Sequence, residues 1–229
     1  MRVHAAVLLA LLAAPVAAEI VGVRGSAGAL EIYGAETGTI YANGVPAPCC
    51  FIATGATARD AVNNWQWIGA VDGGVDVLYR FDAVGTRTAL TLPAGFRVDA
   101  LAFDAPRNEV VALLRDRVAG GLSVQRHAAS TGASLALTPV ASDCCSLRAG
   151  LSTWSPQRRG FLVIGQRSGD AGAGVFGIGF DGVVQAFTAP AAETVQALSV
   201  NTANGLVYAL RHDQASATST LHWPHACRA

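Results

Sequence analysis

Lysine is absent from this 229-residue chain: all 16 of its basic residues are arginine. They are matched by 16 acidic residues and form no basic block, which argues against nucleic acid or anionic membrane surfaces as partners. Charge is scarce altogether, at 14% of residues. Sustained helical periodicity is missing after the first 18 residues. So is any later apolar run approaching the ~18 residues of a membrane helix, and no membrane insertion is expected. Catalytic signatures are missing too, with no G-x-S-x-G elbow and no H-E-x-x-H. One G-x-G-x-x-G occurs, GAGVFG at 172–177. Its glycines lead into no helix, so a dinucleotide-binding reading fails.

The N-terminus, MRVHAAVLLALLAAPVAAE, combines Arg2, an uncharged apolar stretch from Ala5 to Ala14, and small residues at Val16-Ala17-Ala18. That is the pattern of a secretory signal peptide over residues 1–18. The expectation is an exported protein, secreted or periplasmic, whose mature residues 19–229 form a single domain.

What the chain does contain is a repeat. DVLYRFDAVGTRTAL (76–90), GLSVQRHAASTGASLAL (121–137) and GVFGIGFDGVVQAF (174–187) each read as strand, glycine turn, strand. ALEIYGAETGTI (29–40) has the same form. The turn glycines Gly38, Gly85, Gly132 and Gly182 are spaced by 47, 47 and 50 residues. A second strand pair fills each gap, and VDALAFDAPRNEVVALLRD (98–116) matches VQALSVNTANGLVYALRHD (195–213) nearly position for position. Period-2 alternation is read in 109–114 and 205–210. Each unit therefore holds four short strands, A to D. Three units are complete, roughly 43–92, 93–139 and 140–189. The chain opens on strands B, C and D alone and closes on A, B and C alone.

Four-stranded antiparallel units of ~40–50 residues resemble the β-propeller superfamily. The likeness covers the whole mature chain and implies an all-β fold of about five blades, with four possible if the partial units merge. A β-sandwich is the rival that the regular period disfavours.

The five cysteines include two adjacent pairs, in APCCFIATG (47–55) and SDCCSLRAG (142–150). In each, a glycine follows the pair after four residues. Cys49-Cys50 and Cys144-Cys145 lie 95 residues apart, two repeat periods, each between a strand D and the next strand A. Export favours disulfides. Adjacent bridges, Cys49–Cys50 and Cys144–Cys145, are favoured over links between the pairs or to Cys227. The propeller likeness implies that D-to-A loops share one face beside the central channel, where binding sites often form.

LHWPHACRA (221–229) gathers His222, His225 and Cys227, imidazole and thiol groups that suit Cu or Zn. His127 and His212 read as turn or surface residues. Asp82, Asp104, Asp116, Asp181 and Asp213 fall at strand ends, where Asx turns favour them. Trp65 and Trp67 share one strand face and are expected to pack between blades, as is Trp154.

The expected function is a non-catalytic binding or interaction module. It takes no cofactor and binds a small ligand or partner protein on the face bearing the Cys-Cys loops. The alternative is a small periplasmic Cu or Zn protein or enzyme using the C-terminal trio.

Overall fold

The computed structural model describes residues 19–24, 29–34, 40–43, 51–82, 86–141, 144–167, 169–170, 172–187, 193–201, 204–213 and 215–222. Its strands form five antiparallel sheets, each a meander in chain order. The first holds β1 (Glu19–Arg24), β2 (Ala29–Gly34) and β3 (Ile40–Asn43). The second is β4 (Phe51–Asp60), β5 (Trp65–Asp72), β6 (Val75–Phe81) and β7 (Arg87–Leu90). The third is β8 (Phe96–Asp104), β9 (Glu109–Asp116), β10 (Leu122–Ala128) and β11 (Ser134–Pro139). The fourth is β12 (Ser146–Ser155), β13 (Gly160–Gln166), β14 (Gly174–Gly179) and β15 (Val184–Phe187). The fifth is β16 (Glu193–Val200), β17 (Val207–Asp213) and β18 (Thr218–His222). Among the described residues, three units of four strands are thus flanked by a three-stranded sheet before them and another after them, in line with the repeat. No helix among the described residues is long and apolar enough to cross a membrane.

The middle strands show why the sheets stack. β9 was expected to alternate, yet Val110, Val111, Ala112, Leu113 and Leu114 are all buried. Side chains still point alternately to opposite faces, but each face meets a neighbouring sheet. Val110, Ala112 and Leu114 pack with Ala56, Ala58, Trp67 and Leu78 of the second sheet. Val111 and Leu113 pack with Phe161, Val163, Phe176 and Ile178 of the fourth. A sheet covered on both faces reads as a continuous apolar run. The outermost strand β11 carries the exposed Leu135 and Leu137.

The repeating turn glycines have a packing reason. Gly132 and Gly182 adopt φ of +79° and +78°. A Cβ on Gly182 would sit 2.1 Å from the Pro139 carbonyl oxygen of the preceding sheet. One on Gly132 would sit 2.4 Å from Leu90 Cδ2, the end of a side chain that can shift. Each C-to-D turn thus lies against the last strand of the blade before it. Gly38 and Gly85 lie outside the described residues.

Candidate functional site

Every described A strand is interrupted near its start. In β4 the register with β5 breaks between Ile52 and Thr57, and in β12 the register with β13 breaks between Leu147 and Ser152. In β8 and β16 the break is a single residue, Asp99 and Gln196. Long and short bulges alternate from blade to blade, so the structural repeat is two blades long. Bulges re-aim side chains next to functional sites.

The two long bulges contain the glycines of the Cys-Cys segments. Gly55 and Gly150 have φ of +81° and +75°. A Cβ on Gly55 would lie 2.8 Å from the Gly150 Cα. Blades two apart in the chain therefore touch backbone to backbone where the inner strands converge. The recurring glycine is what permits that approach.

Beside this contact lies a cavity of about 210 Å³, walled by the second, third and fourth sheets. It opens where A strands begin and B strands end, the same end as the D-to-A loops. Its apolar wall includes Val71, Val98, Leu147, Leu151 and Val163, and its charged residues are Asp76, Arg97, Asp99, Arg117 and Arg148. Arg97 and Arg115 stand directly opposite one another on β8 and β9. Facing like charges repel, and Asp99 on the bulge between them accepts from both, at 2.9 Å from Arg97 Nε and 2.7 Å from Arg115 Nε. Arg117 engages Asp76 side-on through Nε and through Nη2, the latter at 2.8 Å from Oδ1. Asp76 hydrogen-bonding pushes the Arg117 guanidinium above its already high range. Arg148 is exposed and makes no ion pair among the described residues. None of these charged residues was singled out in the sequence. The available signal was Arg148 inside CCSLRAG, where the sister segment CCFIATG has Ala53.

Cys144 and Cys145 are joined by a disulfide in the loop leading into β12. Cys145 is buried in the core shared by the third and fourth sheets. A bridge between neighbours ties no two elements together, so its structural effect is local to the loop that presents Leu147 and Arg148. Cys49 and Cys50 lie outside the described residues, as do His225 and Cys227. His222 ends β18, at the opposite end of its blade from the D-to-A loops.

The expectation for His127 is corrected, and that for His212 holds as to the surface, where it is half-exposed, but not as to a turn. His127 lies within β10 and is fully buried, its ring 6.0 Å from that of Trp67. His212 lies within β17 beside Ser219. The polar flanks of both residues hid the fact that each strand continues through them. His127 faces the second sheet, and burial pushes its pKa down against the opposing pull of the Gly132 carbonyl. The Asx turns form at Asp116, Asp181 and Asp213, each accepting from a backbone N–H two residues on, while Asp82 accepts from the Thr86 N–H four residues on. Asp104 differs: it is buried, and desolvation raises its pKa. Trp67 is fully buried, and Trp65 and Trp154 pack against the inter-blade clusters.

No family model and no curated protein matches the chain. Solved structures do. A TolB candidate from Agrobacterium tumefaciens superposes with a TM-score of 0.60 at 13% identity, over 86% of this chain and 74% of that one. The fold is a β-propeller. The GH74 enzyme of Niastella koreensis gives a TM-score of 0.56 at 14% identity, over 90% of this chain and 35% of that one. TolB from Acinetobacter baumannii gives 0.51 at 13% identity, over 90% of this propeller and 51% of its own length. This propeller therefore spans about half or less of the last two structures. Identities this low speak for the fold alone.

Proposed function

We propose that the chain is an exported propeller whose role is to bind a small ligand at the channel mouth, on the face bearing the Cys-Cys loops. The observation that carries this reading is the cavity of about 210 Å³ shared by three blades. Concave sites that combine an apolar wall with a few convergent polar groups are the usual form of a ligand pocket. The carboxylates at its rim are occupied by arginine, an arrangement for holding charge in place. Export is supported by the N-terminal signal pattern and by the Cys144–Cys145 bridge.

A thermal-shift screen of small molecules, with hits mapped by hydrogen exchange, tests the site. Slowed exchange is expected together in 70–76, 97–100 and 147–152. Hits that protect only other segments contradict the assignment. For export, expression in a bacterial host with fractionation and N-terminal sequencing should return a chain beginning near Glu19. Retention of residues 1–18 contradicts it.

A further inference from the structure

Resting on that reading of the site, we infer that the channel-mouth pocket takes a small organic anion with an apolar body, its carboxylate met by Arg148 and Arg97. The first observation is the state of the guanidiniums. Arg97 uses only its Nε on Asp99 and has no other ion pair or hydrogen bond among the described residues, leaving both terminal nitrogens available. Arg148 has no ion pair among the described residues. The lining carries three arginines against two aspartates, and Arg115 adds a further cation from behind Asp99. An arginine fork matches a carboxylate in shape as well as charge.

The second observation is independent and comes from the two-blade repeat. The same backbone is built twice, so residues that the backbone needs should occur twice. The glycines do, as Gly55 and Gly150, and the bulges recur. The charges do not. Arg148 falls at the position of Ala53, while Arg97, Asp99 and Arg115 correspond to Thr194, Gln196 and His212, and Thr194 pairs across to His212 just as Arg97 pairs to Arg115. The strand geometry therefore survives without the cluster, and folding does not explain its presence in one copy.

The third is size and wall. An engineered apolar cavity of about 150 Å³ holds benzene, so about 210 Å³ accommodates a ring or a short acyl chain with a carboxylate. Val71, Val98 and Leu151 supply the contact for that body.

Isothermal titration of the whole mature protein at low ionic strength tests this with benzoate and hexanoate, the uncharged isostere benzamide, and inorganic phosphate. Hydrogen exchange is run on each mixture. The expected result is binding of a carboxylate probe, benzamide at least tenfold weaker, and phosphate weaker than the carboxylates. Arg148→Gln should weaken the carboxylate by about fivefold or more while leaving the melting temperature unchanged, because the side chain is exposed and has no ion pair among the described residues. Arg97→Gln, which also releases one partner of Asp99, should weaken the carboxylate by a similar factor, which guards against one variant misleading. If benzamide matches benzoate, with protection at 97–100 and 147–152, the pocket stands and the anion inference falls. Tighter binding of phosphate than of either carboxylate overturns the apolar body. If no probe protects the pocket, both the inference and the site reading fail.

Discussion

At the scale of single residues, His127 and Gly55 make the most exposed claims. His127 is buried and uncharged in the fold, so its folded pKa lies below the ordinary value near 6.5. The unfolded chain binds the proton that the folded chain resists. Stability from this group is therefore complete above about pH 6.5 and is lost as the pH falls toward the folded pKa. Hydrogen bonds hold Asp116 and Asp213 below their ordinary value of 3.8, so they act below that window; burial raises Asp104, whose contribution grows as the pH falls and opposes that of His127. Melting temperatures of the native protein should decline as the pH falls below about 6.5, and His127→Leu should flatten that slope. An unchanged slope would remove His127 as its source. Gly55→Ala meets two obstacles, a positive φ and a Cβ 2.8 Å from Gly150 Cα. Left-handed backbone alone costs a non-glycine residue about 1–2 kcal/mol, so denaturant titration should show a loss of at least ~2 kcal/mol. A neutral result would mean that the two bulges do not touch.

At the scale of elements, the repeat was readable because turns announce themselves. The turn glycines, the four-strand unit and the shorter end units all come from turn chemistry and strand pattern; among the described residues the structure has the four-strand unit, three-stranded sheets at either end, and turns at Gly132 and Gly182. The burial of the middle strands was not readable in the same way. Alternation in 109–114 predicts one wet face, yet a blade lies on either side of β9, and that is a property of neighbours rather than of the strand. The bulges were hidden for a related reason. The doubled CC-x4-G segment marks where they are, but that the two glycines meet follows only from two strands far apart in sequence arriving at one place. The charged pocket was equally silent, since Asp76, Arg97 and Arg148 belong to three different blades. Leu113, fully buried between the third and fourth sheets, gives the element-scale prediction. Leu113→Ala should cost about 2–5 kcal/mol by the ordinary range for a core leucine. Val118→Ala, at a position 94% exposed, should change stability by less than ~0.5 kcal/mol. Equal costs at the two positions would deny that β9 is covered on both faces.

At the scale of the whole molecule, each blade from the second sheet to the fourth leans on the next. One cluster joins the second and third sheets, another the third and fourth, and another the fourth and fifth. Shared cores couple the blades, while the inner strands, freed from strict pairing at their bulges, turn side chains toward the convergence point. The pocket belongs to no single blade, and that is the central claim. A crystal structure of the mature protein soaked with a library of small fragments measures it directly. The account predicts radially arranged four-stranded sheets, with fragment density concentrated between 97–99 and 147–152. Fragments gathering elsewhere, with that cleft left empty, would contradict it.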